Sequence, residues 1–165
     1  MADIGGTSTD IAVLVGSFPR PAGTAVEVAG VRTNFRMPDT HSIALGGGSL
    51  VATDPQVAIG PVSVGNRLFQ EAQCFGGKVL TLTDIAIASG LTRIEGADAS
   101  RVKVQTERLA AVEEEMLHML ERAVDKMKTS REPVPLILVG GGSCMIRDGV
   151  FLKGVSSLKP GIKVF

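Results

Sequence analysis

The chain has no excess of charge. Its 17 basic residues are matched by 17 acidic ones over 165 residues. A nucleic-acid binder carries a basic excess, so that class is set aside, and nothing draws the chain to an anionic membrane. Cysteine is scarce, with only Cys74 and Cys144, and no Cys-x-x-Cys spacing occurs. Neither a zinc site nor a disulfide framework follows from that pattern. Two thiols in a reducing, cytoplasmic compartment are the expectation. No cationic segment leads into an apolar core at the N-terminus, and no secretory signal is read there. No apolar run reaches the roughly 20 residues of a bilayer span. Tryptophan and tyrosine are missing altogether.

Glycine, by contrast, is plentiful. Twenty glycines fall in short clusters, as tight turns and ligand loops require, without a collagen-like period. The length suits one domain with a buried core, and residues 1–165 are read as a single domain.

The most informative cluster opens the chain: Asp3-Ile4-Gly5-Gly6-Thr7-Ser8-Thr9-Asp10. Gly5 and Gly6 let backbone approach a phosphate with no Cβ in the way. Thr7, Ser8 and Thr9 add hydroxyls. Asp3 and Asp10 suit a divalent cation or a positioned water. The apolar run Ile11–Val15 follows, so the segment reads as strand, glycine turn, strand, presenting N–H groups to an anion. No Gly-Lys-Ser/Thr follows, which excludes a P-loop. Only Met1 and Ala2 precede Asp3, too little for a full carrying strand. The expectation is a piece of a larger protein that begins inside its fold.

Further along, Val26, Val28 and Val31 suggest short β runs through about Phe35. Ser42–Leu45 leads into Gly46-Gly47-Gly48-Ser49, and Leu50–Ala52 leaves it, again a strand, loop, strand pattern. A short helix is expected between Gly65 and Cys74. Thr81 offers an N-cap for a second, which Gly90 stops. The longest helix is expected from Ser100 or Gln105 to Lys128. There Leu109, Val112, Met116, Met119, Leu120, Ala123 and Met127 form one apolar stripe. Leu136–Val139 is apolar without alternation and suits a central strand covered on both faces. It empties into Gly140-Gly141-Gly142-Ser143, where α/β sheets gather ligands. Phe151-Leu152 and Ile162–Phe165 suggest one or two more strands.

One glycine loop is weak evidence; three in order, each leaving a β-type segment, are specific. The chain resembles the hydantoinase A/oxoprolinase family, of the actin–hexokinase–Hsp70 class of ATPase folds. The resemblance rests on Asp3–Ile11, Gly30-Val31-Arg32, His41-Ser42-Ile43 with Gly46–Ser49, and Gly60-Pro61-Val62-Ser63. Phe75-Gly76-Gly77 with Thr81–Asp84, and Val139–Ser143, complete it. Members usually carry Pro-Gly-Pro and a Cys-Tyr-Gly-type loop where this chain reads Gly65–Gly76, so the substrate stays open.

The resemblance implies an α/β, ribonuclease H-like (actin-like ATPase) lobe: a mixed sheet, an N-terminal β-hairpin phosphate loop and flanking helices. It implies ATP and Mg²⁺, with ATP phosphorylating a carbonyl oxygen so that water can open a lactam ring. The substrate class is a cyclic amide of hydantoin or 5-oxoproline type. Relatives that carboxylate ketones leave a carboxylase alternative, kinases of the same fold class another, and a non-catalytic assembly or regulatory module a third. Such folds bind ATP between two lobes. This chain reads as the second, with its N-terminal lobe supplied in cis or in trans and a second hydantoinase-type subunit as a further partner. Asp3 is assigned to Mg²⁺ or the attacking water, Asp10 to catalysis beside it. Gly5, Gly6, Thr7 and Ser8 are assigned to phosphate, and Gly140, Gly141, Gly142 and Ser143 to the nucleoside. His41, Gly46, Gly47, Gly48 and Ser49 are candidates to face substrate. Thr83 and Asp84 fit the cleft or, more simply, a helix cap. His118 reads as structural.

Overall fold

A computed structural model describes residues 1–23, 27–28, 31–32, 37–147, 149–150 and 152–160. In chain order the strands are β1 (Ala2–Ile4), β2 (Thr9–Ala12), β3 (Leu14–Val15), β4 (Phe18–Pro19), β5 (Glu27–Val28), β6 (Val31–Arg32), β7 (Thr40–Ile43), β8 (Ser49–Ala52) and β9 (Ala58–Ser63). Helices α1 (Leu68–Glu71), α2 (Leu82–Ala88) and α3 (Thr106–Met127) follow, then β10 (Val134–Val139) and β11 (Val155–Pro160). The runs expected at Val26 and Phe35, the Gly30 part of the second motif, Phe151 and the Ile162–Phe165 strand lie outside the described residues.

Five strands form a mixed sheet in the order β11-β10-β1-β2-β7. The β1–β2–β7 side is antiparallel, while β10 runs parallel to both β1 and β11. The three residues of β1 occupy the centre of this sheet, so the short segment before the first glycine loop is a full partner on both edges. β8 and β9 form a separate hairpin.

α3 takes the helix expected from the apolar stripe. Val112, Met116, Leu120, Ala123, Val124 and Met127 are buried at three- and four-residue steps. They pack on Ala2, Ile4, Ile11, Leu136 and Leu138 from the sheet. Burying each large side chain stabilises by about 1.5–3 kcal/mol. Ser100 falls outside this helix, in a short 3₁₀ turn at Ala99–Arg101.

One expectation is corrected. β10 is central, yet it is not covered on both faces. Leu136 and Leu138 are buried, whereas Ile137 is 38% exposed. The helix-side face carries Ala2, Ile4, Ile11, Leu136 and Leu138. The other face carries Asp3, Asp10, Ser42 and Ile137, all exposed. An unbroken apolar run therefore concealed a period-2 burial pattern, because Ile137 is apolar on an uncovered face. Among the described residues no helix is long and apolar enough to cross a membrane.

Candidate functional site

The first glycine loop joins β1 to β2, closed by the Gly5 amide donating to the Ser8 carbonyl at 2.9 Å. Its polarity is set from behind. The Gly47 and Gly48 amides donate to the carbonyls of Gly5 and Gly6 at 3.0 and 2.6 Å. With those carbonyls engaged inward, the amides of Gly6 and Thr7 find no protein acceptor among the described residues. Both residues are exposed. A loop with carbonyls tied down and amides open to solvent offers its N–H groups as donors.

Gly46–Ser49 does a different job from the one expected. All four residues are buried, and all four amides are spent. The Gly46 amide donates to Ser49 Oγ at 3.0 Å and the Ser49 amide to the Gly46 carbonyl at 2.9 Å. The other two hold the first loop. A Cβ at Gly46 would sit 2.6 Å from the Thr7 backbone. This loop is a buttress; of its four residues, Gly47 lines the cleft and Gly46, Gly48 and Ser49 do not. Thr9 is also structural, its buried hydroxyl donating to the Leu45 carbonyl at 2.6 Å.

The third loop leaves β10 at Gly140, where φ is +84°. A Cβ there would overlap the Asp3 carboxylate, so glycine is required both by conformation and by the approach of Asp3. Gly142 presses on Ile4, while Gly141 has nothing within 4 Å of its Cβ position. Ser143 begins to turn back, its amide donating to the Gly140 carbonyl at 3.1 Å.

The first and third loops, with Gly47, line one cleft of about 520 Å³. Leu68, Thr83, Ala86, Thr92, Ile94, Cys144 and Met145 complete it. Of these, only Thr83 carried a sequence signal. The rest come from α1, α2, the segment after α2 and the turn following Ser143, brought together by tertiary packing without a local motif. A larger groove of about 1,070 Å³ lies at the opposite end of the sheet, between Met1, Leu14 and Pro135. It is lined largely by apolar residues of the β1–β2 side, α3 and β10.

Asp3 and Asp10 are directly opposite in the β1–β2 register, and Asp10 faces Ser42 on β7. Ser42 Oγ donates to the Asp10 carboxylate. The two carboxylates are exposed on the open face, and that of Asp3 lies against Gly140 of the third loop. Like charges directly opposed on a sheet are unfavourable unless a cation or donor joins them. Among the described residues no group of three or more His, Cys, Asp or Glu is arranged for a metal. His41 is not part of this site. It sits opposite Ile11 on the helix-side face and lines a separate groove with Met119 and Arg122 of α3.

Behind the loops, α2 is anchored by a buried capping box. Thr81 accepts from the Asp84 amide, and the Asp84 carboxylate accepts from the Thr81 amide and hydroxyl, both at 2.8 Å. Asp84 also accepts from the Cys74 amide at 2.6 Å. Burial, reinforced by Asp84, pushes the Cys74 thiol up to about 12. The capping reading of Asp84 therefore holds; Thr83 is the residue of that pair that faces the cleft.

This architecture is that of an α/β lobe with glycine loops at one end of a mixed sheet, and solved structures share it. It matches a nucleotide-free structure of acetone carboxylase, from work on ATP-dependent acetone carboxylation. The TM-score is 0.67 at 22% identity, over 86% of this chain and 24% of that one. It likewise matches ATP-dependent caprolactamase from Pseudomonas jessenii, with TM-score 0.64, 21% identity and the same coverages of 86% and 24%. The chain thus spans about a quarter of the length of those proteins. No curated protein sequence matches the chain. The chain belongs to the hydantoinase/oxoprolinase family, whose model matches residues 1–127. That match holds the first two loops and stops before the third, which the fold alone brings to the cleft.

Proposed function

We propose that this chain is the second nucleotide-binding lobe of an ATP-dependent hydrolase that opens a cyclic amide of the hydantoin or 5-oxoproline type. The observation that carries the reading is the first glycine loop, with its carbonyls bound inward, the Gly6 and Thr7 amides without a protein acceptor among the described residues, and Gly5 and Gly6 lining the cleft. The ribonuclease H-like form of the lobe is supported by its three antiparallel strands continuing into two parallel ones.

The residues present fit ATP and Mg²⁺. No side chain or backbone lies within 4 Å of the Cβ positions of Gly6 and Gly141, leaving room for phosphates on one side and a nucleoside on the other. Mg²⁺ is usually held by one or two carboxylates together with phosphate oxygens, and Asp3 and Asp10 supply such a pair. ATP would activate the amide carbonyl by phosphorylation. The chain's own residues do the rest: Gly6, Thr7 and Ser8 bind phosphate through N–H and hydroxyl groups while Gly5, its amide closing the turn on Ser8, lets the phosphate approach, Gly140–Ser143 seat the nucleoside, and Asp3 holds the cation or orients water. An N-terminal lobe, in cis or in trans, and a second hydantoinase-type subunit are the partners.

Cys144 provides the test. It is half-buried on the cleft wall, whereas Cys74 is buried with its thiol pushed up to about 12 and stays silent at neutral pH. Mg-ATP is expected to slow alkylation of Cys144, and Asp3→Ala to remove the Mg²⁺ dependence of that protection. Alkylation indifferent to millimolar Mg-ATP would sink the nucleotide reading. Acetone carboxylase as a structural neighbour keeps a carboxylase alternative alive. In the complete enzyme, ATP consumption that requires bicarbonate would choose it, and release of a ring-opened product with phosphate would choose the hydrolase.

A further inference from the structure

We infer that the Thr83 hydroxyl is a clamp that holds the two N-terminal glycine loops in register, making Thr83 a positioning residue for the cleft. The Gly47 carbonyl accepts two bonds from this one residue, from the Thr83 amide at 2.8 Å and from Thr83 Oγ1 at 2.9 Å. The peptide on the other side of Gly47 points its amide at the Gly5 carbonyl, 3.0 Å away. Gly47 is therefore a link in a chain that runs from α2 through the second loop into the first. The link is tight: a Cβ on Gly47 would lie 2.9 Å from Thr83 Oγ1. Thr83 is itself immobilised, 6% exposed and flanked by the Thr81–Asp84 capping box.

The consequence concerns the free amides. The Gly6 and Thr7 amides belong to the peptides whose carbonyls, Gly5 and Gly6, are held by the second loop, so that hold fixes their direction. Release Gly47, and nothing else among the described hydrogen bonds fixes the Gly5 carbonyl inward. Through Gly47, the Thr83 hydroxyl joins the Thr83 amide in holding the Gly5–Gly6 peptide, whose N–H is the Gly6 donor beside the cleft. The statement about the loops stands on geometry alone; its effect on nucleotide rests on the reading proposed above.

Hydrogen–deuterium exchange on Thr83→Val tests the clamp, since valine keeps the shape and removes only the hydroxyl. Exchange at the Gly47 and Gly48 amides is expected to accelerate about tenfold, as for loss of one local protecting bond, with the buried amides of α3 unchanged. Thr83→Ser is expected to exchange like the wild type, and Thr83→Ala, which adds no bulk, like Thr83→Val. Unchanged exchange in Thr83→Val and Thr83→Ala, or fast exchange in Thr83→Ser, would overturn the clamp. Cys144 protection by Mg-ATP separates the two readings. Protection in the wild type that needs about tenfold more nucleotide in Thr83→Val supports both. No protection in the wild type refutes nucleotide binding and leaves the exchange result to decide the clamp.

Discussion

Gly46-Gly47-Gly48-Ser49 and Gly140-Gly141-Gly142-Ser143 are the same four residues in the same order, and the fold uses them differently. The first set is wholly buried, with every amide spent inside the protein. The second turns one glycine, Gly141, into open cleft space and packs its neighbours Gly140 and Gly142 against Asp3 and Ile4. A glycine run marks a place where something comes close to backbone. Whether that something is another loop or a ligand is decided by tertiary placement, which four letters do not contain.

The sharpest way to break this comparison is to add one methyl group to each loop. In Gly46→Ala the new Cβ meets two backbone atoms of Thr7 at 2.6 Å. Backbone cannot swing away as a side chain can, so the cost is about 3 kcal/mol or more, a fall in Tm of roughly 10 °C. In Gly141→Ala the Cβ meets nothing within 4 Å, and stability is expected to change by less than about 0.5 kcal/mol. Its effect should appear as weaker Mg-ATP protection of Cys144. Thermal melts of the two variants decide the point: equal losses would mean that the second and third loops are both structural.

Two acidic environments make the next contrast. Asp84 is fully buried and accepts from the Cys74 and Thr81 amides and the Thr81 hydroxyl. Asp84→Ala strips three donors of their acceptor and should cost about 2–4 kcal/mol. Asp3 is exposed, and Asp3→Ala should leave stability within about 0.5 kcal/mol while abolishing the Mg²⁺ dependence. A chemical denaturation series on both separates the structural aspartate from the functional one. A large loss in Asp3→Ala would reverse the assignment.

These contrasts also show what the sequence made legible. The long helix was readable because its apolar stripe repeats at helical spacing, and the capping box because Thr81 and Asp84 stand three apart. The β1–β2 hairpin was readable from two glycines between short apolar segments. Ile137 misled, because an exposed apolar residue on an open sheet face looks like a buried one. Gly46–Ser49 misled for a related reason: the partner that forces glycine there is the Thr7 backbone, distant in sequence and without a motif of its own. Leu68, Thr92, Ile94 and Met145 reach the cleft from three separate segments, and only tertiary packing assembles them.

The smallest effect separates the loops by how each is tethered. The second loop hangs on backbone bonds and the Thr83 hydroxyl, none of which titrates near neutrality. The third is followed by Arg147, which donates twice to the Glu113 carboxylate on α3, at 2.8 Å each. The Arg147 hydrogen bonds hold the Glu113 carboxyl below its ordinary value of 4.5. A depressed folded-state pKa contributes stability that is present above 4.5 and lost as pH falls through the lower folded value. Arg147 is half-exposed, at 49%, so solvent screening keeps the contribution small. NMR amide shifts of Gly141 and Gly142 are therefore expected to move as pH falls below about 4.5, while those of Gly47 and Gly48 hold still. Glu113→Gln should flatten the movement with little loss of stability. Equal movement in both loops would mean that acid acts on the sheet as a whole, and that the Glu113–Arg147 pair does not tether the third loop.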